Sequence, residues 1–84
     1  MSDFAPSSCR VYTRNGCGYC DAAVNLLELK QIPHDVLNRD DGDFTQDWFT
    51  EEYGVFATYP QVVMWSKSIG GYTDLCRYIE ECVD

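Results

Sequence analysis

Positive charge is scarce in this sequence of 84 residues. Six Lys and Arg residues stand against fourteen Asp and Glu residues, which gives a formal net charge of -8 at pH 7. A surface of that sign repels the phosphates of nucleic acids and the headgroups of anionic lipids. We therefore expect no nucleic-acid partner and no membrane partner, whereas proteins with basic docking surfaces are favoured.

Long apolar runs are missing as well, and no stretch approaches the roughly 20 residues that a membrane-spanning helix needs. Residues 1–8 lack the basic start and apolar run of a secretory signal, so they are predicted to form a short polar tail. The five cysteines are an odd number, which fits free thiols in a reducing compartment better than a fully paired secreted framework. The expected location is the cytoplasm, and a secreted fragment held by disulfides is the alternative.

Residues that interrupt helices and strands are few, with three prolines and six glycines. No linker, internal repeat or low-complexity segment divides the chain. Two Trp, six Tyr and four Phe residues join the aliphatic residues to supply a modest core. A chain of this length forms one compact unit. Residues 1–84 are therefore predicted to be a single domain.

Hydrophobic periodicity and breakers predict the element order β-α-β-α-β-β-α. The predicted strands cover residues 10–13, 34–37 and 61–65, with a last strand starting at residue 69 after a turn at 66–68. The predicted helices begin at the Cys17/Cys20 pair, at Asp43, which forms a capping box with Gln46, and near Asp74. Two strands joined by a helix are parallel and a hairpin is antiparallel, so the expected fold is α/β with a four-stranded mixed sheet flanked by helices.

Cys17 and Cys20 stand where the first strand gives way to the first helix. The N–H groups at a helix start stabilise an anion, so Cys17 is predicted to be an exposed, nucleophilic thiolate. Cys20 lies on the apolar face of the helix and is predicted to be the resolving thiol. Such a pair can exchange electrons with a disulfide through a mixed disulfide.

Other uses of these residue types stay open at this point. A Cys-x-x-Cys pair also occurs in zinc sites, but Cys76, Cys82 and the single His34 do not form a familiar second half of such a site. We interpret Cys9, Cys76 and Cys82 as small core or surface residues. Arg14 is either a solvated cation or a partner of the thiolate or of a substrate carboxylate.

Three motifs occur together, namely Cys17-Gly18-Tyr19-Cys20, Thr58-Tyr59-Pro60 and Gly70-Gly71-Tyr72-Thr73-Asp74-Leu75. In this order and spacing the chain resembles the glutaredoxin family, of the dithiol type, from about Cys9 onward. Thioredoxins share the fold but usually have a Trp-Cys-Gly-Pro-Cys site and lack the Gly-Gly-Tyr-Thr-Asp segment. The resemblance implies a thioredoxin-like fold and glutathione-dependent reduction of protein disulfides and glutathione mixed disulfides.

The resemblance also implies a glutathione site beside the cysteines. Tyr59-Pro60 is expected to be a cis bond, with the Tyr59 backbone pairing with glutathione like an added strand. Tyr59 replaces the valine of the family motif, and its ring either narrows the groove or stacks over it. The start of the last helix is expected to take the γ-glutamyl carboxylate. The predicted glutathione-binding residues are Arg14, Tyr19, Thr58, Tyr59, Pro60, Gly71, Tyr72, Thr73 and Asp74.

Taken singly, the motifs have simpler interpretations. Thr58-Tyr59-Pro60 alone fits a trans-proline turn, and Gly70-Gly71 alone fits a strand-ending turn with Thr73 as the helix N-cap.

Gly18 departs from the family pattern, because many dithiol members have proline at that position. Some relatives without this proline hold an iron-sulfur cluster in a dimer, so a 2Fe-2S cluster bound by Cys17 and glutathione is an alternative function. A thioredoxin-like electron donor to one dedicated reductase is another. The expected partners are glutathione and disulfide-containing or glutathionylated proteins, with ribonucleotide reductase as a candidate, and the expected state is a monomer.

Overall fold

Four strands and three α-helices make up the described part of the chain, residues 9–65 and 67–83 of a computed structural model, with side chains through residue 80. The predicted polar tail lies outside these residues. The elements are β1 (Cys9–Thr13), α1 (Gly18–Leu29), β2 (Asp35–Asn38), a 3-10 turn (Arg39–Asp41), α2 (Gln46–Tyr53), β3 (Gln61–Met64), β4 (Lys67–Gly70) and α3 (Tyr72–Val83). This order confirms the predicted β-α-β-α-β-β-α arrangement.

The four strands form one mixed sheet in the order β2-β1-β3-β4. β1 pairs with β2 in parallel, with Val11 opposite Val36. β3 runs antiparallel to both β1 and β4, and its register with β4 shifts between Val62 and Val63. The parallel first pair and the antiparallel hairpin are both as predicted.

Alternating side chains on the central strands divide the core between the two faces of the sheet. On one face, Val11 and Val62 pack with Leu27 of α1 and Leu75 of α3. On the other face, the buried residues Tyr12, Val63 and Phe49 form a second cluster, in which Phe49 belongs to α2. The sheet therefore lies between α1 and α3 on one side and α2 on the other.

The first helix forms for the reasons that its sequence suggests. Cys20, Ala23 and Leu27 recur at helical spacing, and all three are buried. Their burial turns the N-terminal end of α1, with Cys17 as its N-cap, toward the carboxyl end of β1. None of the helices in the described part of the chain combines the length and apolarity needed to cross a bilayer.

The second helix begins later than predicted. Thr45 is its N-cap, because the Thr45 hydroxyl accepts a hydrogen bond from the Trp48 backbone N–H at 3.1 Å. The Asp43 carboxylate instead accepts from the Asn38 backbone N–H at 2.9 Å. The predicted Asp43–Gln46 capping box is therefore wrong, because Asp43 closes the preceding turn.

Several other boundaries differ by one or two residues. β2 runs from Asp35 to Asn38 rather than over 34–37, and α3 begins at Tyr72 rather than near Asp74. β4 begins at Lys67, within the predicted turn, since Trp65 takes a left-handed conformation (φ 53°) that reverses the chain earlier. The Cys82 and Val83 side chains, which periodicity places on the buried face of α3, lie outside the described side chains.

Candidate active site

The Cys17 side chain caps the first helix. Its backbone is extended (φ -115°, ψ 103°), and its Sγ accepts a hydrogen bond from the Cys20 backbone N–H at 3.1 Å. The structure joins Cys17 and Cys20 in a disulfide with the two Cα atoms 5.2 Å apart. The Cys17 sulfur thus lies at the positive end of the α1 dipole, where a thiolate is stabilised.

The expected exposure of Cys17 is wrong for this disulfide form, because the residue is only 8% exposed. The sulfur is turned toward Cys20, which lies on the buried face of α1 and is 3% exposed. Both cysteines nevertheless line a surface pocket of about 470 Å³, here called the cysteine pocket, together with Arg14 and Asn15. The disulfide is therefore recessed at the surface rather than enclosed in the core.

A second depression, the cis-proline groove, has a volume of about 270 Å³. Its lining residues are Tyr19, Thr58, Tyr59, Pro60, Gly71, Tyr72, Thr73 and Asp74. The Tyr59-Pro60 bond is cis, as predicted. The Tyr19 and Tyr72 rings lie 5.9 Å apart between centroids and flank the groove. Residues from three separated segments thus converge beside Cys20's helix.

One wall of this groove is the start of α3. The Asp74 carboxylate lies in the first turn and accepts a hydrogen bond from the Gly71 backbone N–H at 3.3 Å. This contact resembles half of a capping box, with the acid at the third helical position. The N-cap prediction for Thr73 from the isolated motif does not hold, because Thr73 lies inside α3.

Comparisons with known proteins agree with this geometry. The Glutaredoxin family model matches residues 9–69. The chain belongs to the glutaredoxin family. It is 29% identical to Glutaredoxin 1 of Escherichia coli (strain K12), over 88% of this chain and 94% of that protein. It is 30% identical to Glutaredoxin 1 from Francisella tularensis, solved in complex with cacodylate, with a TM-score of 0.73 over 87% of this chain and 92% of that one.

A buckwheat glutaredoxin–glutathione complex is also similar, at 25% identity and a TM-score of 0.74, over 88% of this chain and 69% of that one. The thioredoxin-like fold is thereby confirmed. A glutaredoxin with an intact Cys17–Cys20 pair is a thiol–disulfide oxidoreductase.

The Tyr59 ring of this glutaredoxin has a stacking partner that the sequence motif does not indicate. The ring stacks on Phe49 of α2, with centroids 4.5 Å apart and planes 19° apart. The Tyr59 hydroxyl donates to the Gln46 side chain at 2.9 Å, and the Arg39 guanidinium lies 5.6 Å from the ring centroid. Burial raises the pKa of Tyr59. The ring anchors the cis-proline segment to α2.

The predicted residue Arg14 is not among those that line the cis-proline groove. It lines the cysteine pocket instead, and its guanidinium donates to the Asn15 carbonyl at 3.0 Å. Arg14 thus lines a different depression from the remaining eight predicted residues.

Sequence reasoning missed the residues that hold the loop before Cys17. The Asn15 backbone N–H donates to the Asp40 carboxylate at 2.8 Å, and the Asn38 side chain donates to the Asn15 side chain at 3.2 Å. The Asn15 hydrogen bond lowers the pKa of Asp40. Partners 23 and 25 residues apart leave no local sequence signal, so only the paired β1 and β2 bring them together.

Two further cysteines differ in environment. Cys9 is 1% exposed, and burial, followed by the Asp35 charge, raises its pKa from 9.0 to about 11. Cys76 is half-buried, and a side-chain hydrogen bond with it raises the pKa of Tyr72. Cys9 is therefore a core residue held as the thiol, in agreement with its predicted structural role.

Gly70 offers a stability test of the groove wall. It has φ 112°, and a Cβ at this position overlaps the Asp74 carboxylate. We expect Gly70→Ala to lower the free energy of unfolding by about 1–3 kcal/mol, because it forces an unfavourable φ and displaces Asp74. Urea unfolding measures this loss. The matched control is Gly71→Ala, whose Cβ lies at an ordinary 3.6 Å from the Pro60 carbonyl oxygen. Equal losses of unfolding free energy in both variants contradict the inference that position 70 requires glycine.

Proposed function

We propose that this chain is a glutathione-dependent oxidoreductase that reduces protein disulfides and glutathione mixed disulfides through Cys17 and Cys20. The observation that carries the proposal is the convergence of eight predicted glutathione-binding residues in one groove beside the helix that carries the cysteines. The glutathione complex of the buckwheat relative supports the same ligand. The odd cysteine number supports a reducing compartment such as the cytoplasm.

The reaction proceeds by two thiol–disulfide exchanges. The Cys17 thiolate attacks one sulfur of the substrate disulfide, forms a mixed disulfide and releases the other substrate sulfur as a thiolate. Cys20 or glutathione then attacks Cys17 Sγ and releases the second substrate thiol. When Cys20 resolves, the enzyme is left as the Cys17–Cys20 disulfide, and two glutathiones reduce it and leave as glutathione disulfide. The Cys20 N–H that donates to Cys17 Sγ stabilises the thiolate in each exchange.

Each part of the groove suits one part of glutathione. The Tyr59 ring is held against α2, which leaves the Tyr59 backbone to offer main-chain hydrogen bonds to the cysteinyl residue. The N–H groups at the start of α3 suit the γ-glutamyl carboxylate, and the Asp74 carboxylate with Thr73 suits the amino-acid end. Arg14, in the cysteine pocket, is placed to meet a carboxylate of a substrate bound from that side.

A coupled assay tests the proposal. Reduction of the mixed disulfide of glutathione and 2-mercaptoethanol is followed in the presence of glutathione and glutathione reductase, and thioredoxin reductase replaces these two in a parallel reaction. The expected result is that glutathione reduces the oxidised enzyme. Reduction of the oxidised enzyme by thioredoxin reductase alone contradicts the proposal and favours a thioredoxin-like electron donor. Protein substrates, with ribonucleotide reductase as a candidate, are tested in the same assay, and sizing tests the proposed monomer.

Asp74 provides a prediction specific to glutathione. We expect Asp74→Ala and Asp74→Asn each to lower kcat/KM for glutathione by about tenfold, because a charge-assisted hydrogen bond to the glutathione amino group is lost. Reduction driven by dithiothreitol stays near that of the wild type. Asn keeps an oxygen that accepts from the Gly71 N–H, so Asp74→Asn separates ligand binding from the helix cap. Equal losses with both reductants point to damage at the fold or the thiols.

A second candidate function is a glutathione-ligated 2Fe-2S cluster, favoured by the open space around Gly18, where a Cβ meets no atom within 4 Å. Within the described side chains no group of three His, Cys, Asp or Glu residues can hold a metal ion. The proposed ligands are Cys17 of two chains and two glutathiones, since thiolates are the usual ligands of such clusters.

Gly18→Pro tests this candidate. Gly18 is the first residue of α1, a position where proline is well tolerated, so the variant is expected to fold and to keep disulfide reduction. Its ring crowds the loop beside Cys17, so cluster assembly is expected to fall. Anaerobic reconstitution with iron, sulfide and glutathione, followed by visible spectroscopy and sizing, measures the cluster. A colourless monomer from the wild-type protein contradicts the cluster function.

A further inference from the structure

Two adjacent apolar side chains project from the turn that joins α2 to the cis-proline groove. Val55 is 74% exposed and Phe56 is 92% exposed. The turn is closed by a hydrogen bond from the Ala57 N–H to the Gly54 carbonyl at 3.2 Å. Single exposed apolar residues are ordinary on a protein surface. These two, however, are neighbours, and they stand just before Thr58, which lines the groove.

The end of α2 places negative charge next to this turn. Glu51 and Glu52 are exposed in the last turn of the helix, which contains no basic residue. The C-terminus of a helix already has a partial negative charge, so two glutamates there are locally unfavourable. The two glutamates therefore destabilise the free protein, and they lie beside exposed apolar side chains. Such a surface is complementary to a partner that has both apolar and basic side chains.

The size of the ligand decides whether it meets this surface. Phe56 does not line the cis-proline groove, so a ligand confined to the groove leaves it free. Two residues of chain span at most about 7 Å, which keeps Phe56 close to Thr58. A polypeptide that lies along the 58–60 segment and continues past Thr58 therefore reaches Phe56.

We propose that Val55, Phe56, Glu51 and Glu52 form a docking surface for the polypeptide part of protein-disulfide substrates. The occupant is an extended segment with an apolar side chain and Lys or Arg residues near its reactive cysteine. The inference rests on the proposed oxidoreductase function. In the reaction, the reduced Cys17/Cys20 pair gives two electrons and two protons to the substrate disulfide and becomes a disulfide itself.

Two disulfide substrates test the surface, each mixed with the fully reduced full-length protein without added reductant. One is a cyclic disulfide peptide with Leu and two Lys beside its cysteines, and the other is the mixed disulfide of glutathione and 2-mercaptoethanol. We expect Phe56→Ser to lower the second-order rate constant for the peptide about fivefold while changing that for the small substrate by less than about twofold. Chromatography of the released thiols measures both rates.

Charge and surface controls complete the experiment. Replacing the two Lys of the peptide by Glu is expected to slow its reduction by the wild-type protein. The Glu51→Gln/Glu52→Gln variant is expected to lose most of the preference for the Lys peptide over the Glu peptide, and its rate with the Lys peptide is expected to depend less on salt. Leu29→Ser, at an apolar site that is 76% exposed at the far end of α1, is the matched control and leaves both rates unchanged.

Four outcomes overturn a proposal. A Phe56→Ser variant that reduces the peptide at the wild-type rate, or that loses both substrates equally, overturns the docking surface. A loss of peptide reduction in Leu29→Ser equal to that in Phe56→Ser overturns it as well. A wild-type protein that reduces neither substrate overturns the oxidoreductase function itself, and the docking surface with it.

Discussion

Replacing Cys17 by Ser is expected to abolish thiol transfer with every substrate, by more than about a thousandfold in kcat/KM, because a hydroxyl is not ionised where a thiol is. Cys17 is the residue whose sulfur receives the helix-terminal N–H of Cys20. Cys20 is 3% exposed and Cys9 is 1% exposed, so neither replaces it as the attacking group. The glutathione-coupled assay and a peptide disulfide measure the loss.

The control for this variant is Cys76→Ser. Cys76 is a half-buried thiol outside the pair, and a serine hydroxyl can keep the hydrogen bond to Tyr72. Its activity is expected to remain within about twofold of the wild type, as for most substitutions away from the reacting atoms. A Cys17→Ser variant as active as the wild type, or a Cys76→Ser variant that is inactive, contradicts the assignment of the nucleophile.

Local sequence patterns predicted the elements whose buried face is visible as an apolar periodicity in their own residues. The spacing of Cys20, Ala23 and Leu27 gives α1 one apolar face, and that face is buried. Boundaries failed where a side chain had a choice of partners. An aspartate such as Asp43 can cap a helix or close a turn, and here its carboxylate accepts from the Asn38 N–H and closes the turn.

The candidate site was predictable where the family motifs supply it and not where the fold alone brings residues together. The motifs identified the eight residues of the cis-proline groove, although nothing local to them shows that they meet. The stacking of the Tyr59 ring on Phe49 was not predictable because Phe49 belongs to another element, and aromatic stacking across elements has no sequence period. The exposure of Cys17 was misjudged because its sulfur is bonded to that of Cys20, which lies on the buried face of α1.

The depth of Cys20 distinguishes its role from that of Cys17. Cys20 lies on the buried face of α1, in line with Ala23 and Leu27, and it also lines the cysteine pocket. Cys20 is the less exposed of the two cysteines, at 3% against 8%, and the helix-terminal N–H is directed at Cys17 Sγ, so a large protein disulfide meets Cys17 first. Cys20 is therefore suited to attack a mixed disulfide already formed on Cys17, an intramolecular step with a high effective concentration.

Replacing Cys20 by Ser is accordingly expected to divide the two activities. Reduction of glutathione mixed disulfides continues, because a second glutathione resolves the adduct on Cys17, whereas reduction of protein disulfides falls by about a hundredfold or more once the intramolecular step is lost. The buried hydroxyl costs about 1–2 kcal/mol of stability, so thermal unfolding is measured alongside both rates to exclude loss of fold. Mass spectrometry should find Cys17 trapped as the mixed disulfide with the protein substrate. A variant that reduces both substrate classes at wild-type rates contradicts the resolving role of Cys20, and a folded variant inactive on both shows that Cys20 is needed for the first exchange.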